Sequence, residues 1–484
     1  GGGVPRSVRG LVDRYTAADG WWRLDHAQRW SEHAAADCAH DGEIGELLQV
    51  CRGRYLAVAG SLQAAFQGVV AAGGWPPEGV RRQTQTFDGR VGPELTDRRQ
   101  VVYLLVDSLR YEMGRDLAAA LGELGAVELE PAAASLPTIT PNGMAALLPG
   151  AEGTLALSRQ GDGLVPTVGG APVEGLEERK AVFSKRFGDR YRDLKLEDVL
   201  QAAPAKLAKL ISGADLIVVR SLDLDDLGEG RSYYRARKVM TGVVGELKSA
   251  IARLAEAGVE TVVVAADHGH VLVPELPAGE VVPAPAGEWL LRKRRSLLGH
   301  HRSASPGVVI MPASDAGIES DVAGLELAAA TGFKTFREET GYFHEGLSLQ
   351  ECVVPVLTLR VTAGAGSAIG GGEQVTIWYR SDRFTASVVG VRVGLTAMFS
   401  PTLVVKIEAY DGAGAKAKRV GEAGDCDARD PVTGEITLQA GEETPVPLVV
   451  DPDFGRRSIE VRATDPRTGV VYGLPLKLKN ARLD

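Results

Sequence analysis

The sequence predicts an α/β protein in which a central sheet is flanked by helices, preceded by an α-helical region and followed by a β-sandwich. Three observations carry that expectation. In the middle of the chain, strand-length apolar runs end on polar residues and alternate with helical stretches. Before them, apolar residues recur at helical spacing; after them come short alternating runs separated by turn residues. At 484 residues the chain is longer than one hydrophobic core serves, so several domains are expected.

Residues 1–95 carry the helical spacing, as in Trp30, Ala34, Ala35 and Cys38, then Ile44, Leu47, Leu48 and Cys51, continuing through Leu56 to Val70. Trp21, Trp22 and Trp30 are expected to pack between helices, as are His26, His33 and His40. From 96 to 362 the α/β alternation holds. Val101 to Val106 precedes a helix from about Arg110 to Leu124, Leu216 to Val219 is a buried run, and the helix Val239 to Ala257 leads into Thr261 to Ala266. Gly307 to Met311 and Val353 to Leu359 are further strands. Two interruptions, 151–205 and Pro274 to Pro306, are expected over the carboxyl edge, where lids and substrate contacts are found. The stretch Thr362 to Gly372 has linker composition. Residues 373–484 then give the short strands of a β-sandwich with no catalytic constellation, expected to stabilise the chain or bind a partner.

Composition narrows the function. A chain 44% hydrophobic and 24% charged is ordinary for a soluble protein. A net charge of −9 argues against holding nucleic acid by bulk charge, though not against a local basic groove. Four cysteines, Cys38, Cys51, Cys352 and Cys426, are too scattered for a disulfide framework, which favours a reducing cytoplasm. No apolar run was expected to reach the roughly 18 residues of a membrane span, and no signal peptide is visible. The chain opens Gly-Gly-Gly rather than on Met, compatible with a piece of a longer protein, so the missing signal weighs less.

The candidate chemistry sits at strand ends: Asp107, Thr140, Asp225, Glu229, Asp267, His268 and His344. Open α/β sheets keep their ligands there. Asp107 follows Val101 to Val106, where an Asp otherwise caps a helix. Thr140 lies in Leu-Pro-Thr-Ile-Thr-Pro-Asn-Gly-Met before a small-residue helix, and a hydroxyl there either caps that helix or meets bound phosphate. Asp225 and Glu229 are four apart, on one face if the segment turns helically. Asp267 and His268 end a six-residue strand as Asp-His-Gly, and the Gly lets backbone turn close to a ligand. His344 precedes another strand. Together they offer carboxylate, imidazole and hydroxyl donors of the mix that zinc or manganese accepts, enough for two divalent ions. Two metals ~4 Å apart clamp the attacking and leaving oxygens of a phosphoryl transfer.

These motifs resemble a known family. Val-Asp-Ser-Leu-Arg-Tyr-Glu (106–112), Leu-Pro-Thr-Ile-Thr with Gly-Met-Ala-Ala-Leu-Leu-Pro (136–149), Asp-Asp-Leu-Gly-Glu (225–229), Asp-His-Gly (267–269) and His-Glu-Gly-Leu-Ser-Leu-Gln-Glu (344–351) occur in order. Residues 100 to 360 thereby resemble the PglZ domain, a branch of the alkaline phosphatase superfamily found in bacteriophage-exclusion (BREX) and phage growth limitation defence systems. The resemblance implies an alkaline-phosphatase-like central sheet and Thr140 as nucleophile, since it stands ten residues before Gly150, as in nucleotide pyrophosphatase relatives. Thr138 is the second candidate. It further implies that Asp107, Thr140, Asp267 and His268 surround one metal, and Asp225, Glu229 and His344 the other.

Two positions depart from the pattern. Glu229 stands where phosphodiesterase relatives have His, which shifts preference from zinc toward harder ions. Glu345 replaces a Gly expected after the His. The sulfatase branch is disfavoured, since its nucleophile segment needs Cys or Ser with Arg four residues on, and Met144 stands there.

Two basic clusters, Leu291-Arg292-Lys293-Arg294-Arg295 with His300, His301 and Arg302, and Arg231, Arg235, Arg237 and Lys238, are either solvated helix faces or a groove for a nucleic-acid backbone, and the groove reading implies a DNA or nucleotide substrate. The function expected is a metal-dependent phosphodiesterase or nuclease working with other defence-system subunits, a DNA methyltransferase among them. A non-catalytic scaffold, or a subunit that only binds nucleotide or metal, is the alternative.

Overall fold

The computed structural model describes residues 4–37, 42–96, 99–202, 204–221, 233–272, 281–337, 341–362, 374–381, 383–396, 402–412, 417–455, 458–466, 469 and 471–481. Residues 1–248 and 257–363 form one compact unit; residues 249–256 and 364–484 form another.

The first unit is built on a seven-stranded sheet. Its strands are β1 (Arg81–Arg82), β2 (Val101–Val106), β3 (Gly125–Ala133), β4 (Tyr191–Lys195), β5 (Leu216–Ser221), β6 (Thr261–Ala266) and β7 (Val353–Val361). They are ordered β1-β3-β7-β6-β2-β5-β4. Every strand but β7 runs in one direction. β2 and β6 are buried at every position, so they appear in the sequence as unbroken apolar runs rather than alternations.

Three strands of this sheet escaped the sequence pattern, the shortest being β1, which lies inside the region expected to be helical. β3 includes Pro131 and is only partly buried over most of its length, and β4, Tyr-Arg-Asp-Leu-Lys, is a polar edge strand inside the stretch taken as an interruption. The strand expected at Gly307 to Met311 exists as Val308–Pro312. It belongs instead to a separate four-stranded antiparallel sheet with Gly287–Arg292, Ser296–His301 and Glu326–Ala330.

Three helices precede the sheet: α1 (Val8–Thr16), α2 (Trp22–Asp37) and α3 (Gly42–Gly73). Ser7 caps α1, accepting from the Gly10 N–H at 3.1 Å. Val8, Leu11, Val12 and Tyr15 recur at helical spacing and are buried in one cluster with Phe66 and Val70 of α3. α3 corrects one expectation, because Ile44–Gly73 is long and apolar enough to cross a membrane by length and composition. One face of it is held by the α/β layer: Gln63 donates to Gln350 Oε1 at 3.1 Å and Gln67 to the Ala330 carbonyl at 3.0 Å.

The second unit is a nine-stranded, mainly antiparallel sheet that folds over, so that its first strand, Gln374–Trp378, touches Val471–Asn480. Strict alternation makes its core. Leu403, Val405, Ile407 and Ala409 point inward from Thr402–Tyr410 while their neighbours face out.

Candidate metal centre

The strand directions gather the site. With β2, β3, β5 and β6 parallel in direction and β7 reversed, the ends of the first four and the start of β7 share one edge. Val106 pairs in register with Ala266, so Asp107 and Asp267 leave neighbouring strands side by side. Asp107 N–H donates to the Ser221 carbonyl at the end of β5, 2.9 Å away. Both carboxylates are buried, as is His268.

Ligand atoms of Asp107, Asp267 and His268 all lie within 4.8 Å of one another. His268 Nε2 is 3.7 Å from Asp107 Oδ1 and 3.4 Å from Asp267 Oδ2. The His268 Nδ1–H donates to the Gly269 carbonyl at 3.0 Å, a tautomer that leaves the Nε2 lone pair facing the carboxylates. Asp267 Oδ1 accepts from the backbone N–H of Ser108 at 2.9 Å and of His268 at 2.8 Å, which fixes its plane. Buried carboxylates crowded together are costly without a cation, and two oxygens with one imidazole nitrogen are donors a divalent ion accepts. These residues fit a metal.

Thr140 is the first residue of the helix Thr140–Ala146, and its Oγ1 lies 3.3 Å from His268 Nε2. Gly143 permits the approach: a Cβ there would sit 2.3 Å from the Asp267 carbonyl oxygen. Thr138 is fully buried and donates its hydroxyl to the Gly346 carbonyl at 2.9 Å, away from the cluster.

His344 stacks on His268 with ring centroids 4.2 Å apart and planes at 13°. Its Nδ1–H donates to the Thr138 carbonyl at 3.0 Å, and Arg294 Nη2 lies 3.3 Å from its Nε2. It therefore joins the site through its ring and is not one of the three clustered donors. Glu345, next to it, has φ 79°, the left-handed region that favours the Gly expected there. Its carboxylate lies 3.2 Å from Arg294 Nε, an ion pair a Gly could not make. Asp225, Glu229 and Arg231 lie outside the described residues; Arg235, Arg237 and Lys238 fall on the helix Tyr233–Glu256.

The basic run 291–295 divides, with Arg292 exposed, Lys293 half-buried, and Arg294 and Arg295 turned inward. Arg294 and Arg295 are buried in the turn between two strands, Arg295 with its Nε 3.2 Å from Glu351 Oε1 and its guanidinium 4.8 Å from the Phe343 ring centre. His301 pairs with Glu326 at 2.6 Å and Arg302 with Glu288. Part of the cluster's charge is thus neutralised internally, while Arg292, His300, His301 and Arg302 stay exposed.

Sequence reasoning also missed a clamp. Gln83 is buried, donates to the carbonyls of Ala266 at 2.7 Å and Asp267 at 2.6 Å, and accepts from the Ser135 N–H at 2.9 Å. One amide thus ties the end of β6 to the segment leading to Thr140. A lone Gln outside any motif carries no signal in a single sequence.

Comparison with known proteins places the chain in a family. Over 294 residues the chain is 22% identical to the alkaline phosphatase-like protein PglZ of Bacillus cereus, covering 59% of this chain and 34% of that protein. The chain thus spans about a third of the length of the curated relative it matches. The model of the BREX system PglZ alkaline phosphatase-like domain matches residues 86–359, more than half of the chain and all the strand ends described above, so the chain belongs to the PglZ family.

Proposed function

We propose that the chain is a metal-dependent phosphohydrolase of a bacteriophage-exclusion system, acting on phosphodiesters with Thr140 as nucleophile. One observation carries the reading: the Thr140 hydroxyl stands 3.3 Å from His268 Nε2, beside the buried Asp107, Asp267 and His268 group. Asp107, Asp267 and His268, with Thr140, would hold one divalent ion. Asp225, Glu229 and His344 are proposed for a second, zinc or manganese in either place. Such ions supply charge that acidifies the threonine hydroxyl and stabilises the departing oxygen.

This chain's residues do the rest. Asp267 and Asp107 hold the negative wall of the site, and the bond from His268 Nδ1 to Gly269 keeps its Nε2 aimed at Thr140. Thr140 Oγ forms the new O–P bond as the ester P–O bond breaks, the electron pair leaving on the alcohol oxygen and the hydroxyl proton passing to solvent. Water then attacks the phosphothreonine, restoring the hydroxyl and releasing the phosphate product.

Other subunits of the defence system, a DNA methyltransferase among them, are the proposed partners. DNA or a nucleotide is the proposed substrate, and a reducing cytoplasm suits the free cysteines Cys51, Cys352 and Cys426. The test is metal content together with hydrolysis of bis-p-nitrophenyl phosphate, with Thr140→Ala as control. Metal-dependent turnover that the substitution abolishes supports the reading; metal-loaded protein without turnover would leave the scaffold alternative in its place.

A further inference from the structure

We infer that the pocket beside Thr140 receives a flat apolar group that stays esterified to phosphorus during the reaction, and that Arg179 holds the phosphate at its mouth. This rests on the phosphohydrolase reading and deepens it, because only a diester keeps an ester group after the leaving group has gone.

The pocket has about 80 Å³ of cavity and opens to solvent, and Thr140 is one of its lining residues. Its inner wall is apolar: Leu105 from β2, Met144 and Leu148 from the Thr140 segment, Val218 from β5, and Phe183 from the helix Leu176–Phe187. Phe183 is itself stacked on Tyr191, with centroids 5.4 Å apart and planes at 18°, so the wall has a rigid aromatic backing. An apolar cavity with a few polar groups at one side is the ordinary form of a small-molecule site, and stacked rings favour a planar guest.

The polar side has three cations, and two are committed elsewhere. Arg220 forks onto Asp193, with Nε 3.1 Å from Oδ2, and Lys180 lies 3.0 Å from Glu177 and 3.8 Å from Asp193. Arg179 makes no ion pair among the described residues; its one side-chain hydrogen bond there goes to the Glu174 carbonyl. Burial lowers the Arg179 pKa, and the charges of Asp267 and Asp107 only partly oppose it, so its guanidinium is within electrostatic reach of the metal-site carboxylates. A cation that lines the same apolar pocket as Thr140 is where a phosphate diester's charge would rest, and a guanidinium fork suits two phosphate oxygens.

The side on which the pocket lies decides which ester group it holds. In-line displacement sends the leaving oxygen away from the face that Thr140 Oγ attacks. A pocket that Thr140 itself lines is on the attacking side, and it takes the group that is retained.

The test pairs equilibrium binding with turnover on the full chain loaded with manganese. Binding compares phenylphosphonate with methylphosphonate, neither of which reacts; turnover compares bis-p-nitrophenyl phosphate with methyl p-nitrophenyl phosphate, which share a leaving group. The unaltered chain is expected to prefer phenylphosphonate roughly tenfold, about the effect of burying one ring, and to show the same preference in kcat/KM. Leu176→Trp, which fills the pocket from a half-buried position, should erase the preference and leave methylphosphonate affinity within about twofold. Arg179→Ala should weaken both phosphonates about tenfold or more and raise KM more than it lowers kcat, with Arg179→Lys recovering part of the loss. Thermal melts check that each variant is folded. Equal affinities in the unaltered chain, or a preference that survives Leu176→Trp, overturns the inference. Turnover without an aryl preference removes this inference and keeps the phosphohydrolase reading; an aryl preference without turnover leaves an aryl-binding pocket and overturns both the phosphohydrolase reading and the assignment of its guest as a retained ester group.

Discussion

Thr140 Oγ1 and His268 Nε2 stand 3.3 Å apart although 128 positions separate them in the chain. The sheet makes that contact. β6 delivers Asp267 and His268 in register beside Asp107, β3 delivers the Thr140 segment to the same edge, and Gly143 lets its helix settle against the Asp267 carbonyl.

Asp267 is held by two backbone N–H groups through one oxygen while its other oxygen faces His268. Asp267→Asn can keep the accepting oxygen but loses the charge a cation needs. Metal content by elemental analysis should fall by more than half. The chelator-induced drop in melting temperature, which for an ion at a hundred times its Kd corresponds to about 2.7 kcal/mol, should appear in the unaltered chain and vanish in the variant. An equal chelator effect in both would place the ion elsewhere.

Gln83 touches no proposed ligand side chain, yet its amide meets three backbone groups around the site. Gln83→Leu leaves those groups buried without it and should cost about 1–3 kcal/mol by urea titration. Hydrolysis of the bis-p-nitrophenyl reporter should fall through kcat, as Thr140 drifts from His268. A variant of full activity would show the clamp to be dispensable.

The basic turn separates two meanings of positive charge. Arg295 is fully buried, paired with Glu351, and donates to the Lys334 and Gly332 carbonyls at 3.1 and 3.0 Å. Arg295→Ala should cost about 3–5 kcal/mol, because Glu351 is left buried without its cation. Exposed Arg292→Ala should stay within about 0.5 kcal/mol. The opposite ranking would mean that the run faces solvent, as its composition suggests.

Glu112 carries a pH signature. It lies 2.9 Å from Arg29 Nη2 and 2.6 Å from Arg110 Nη2, all three buried. Burial pushes its pKa up, Arg110 and Arg29 outweigh that, and the carboxyl is held below its ordinary value of 4.5. A depressed carboxyl stabilises the fold above its unfolded pKa, and that contribution is lost as pH falls through the folded pKa. Glu112→Gln should therefore cost about 3–5 kcal/mol near neutrality, with the gap closing below pH 4.5. A gap of constant size across that range would contradict the ion-pair account.

How much of this was legible in the sequence follows from the physics of each element. β2 and β6 were visible because strands covered on both faces are unbroken apolar runs, and the polar residues ending them named Asp107, Asp267 and His268. β4 was hidden because an edge strand tolerates Tyr-Arg-Asp-Leu-Lys, and β3 because its alternation is weak. Composition could not divide the 291–295 run, since charge density says nothing of direction, and Arg294 and Arg295 are buried while Arg292 is exposed. Arg179 lies in a segment with no apolar strand signal, and its place beside the site depends on how Leu176–Phe187 packs against the sheet.

The most direct measurement is peptide mass spectrometry after the manganese-loaded chain is mixed with bis-p-nitrophenyl phosphate and quenched in acid. The account predicts a phosphoryl adduct on Thr140 that chelator prevents and Thr140→Ala removes together with turnover. An adduct on Thr138, or undiminished turnover in Thr140→Ala, would contradict it.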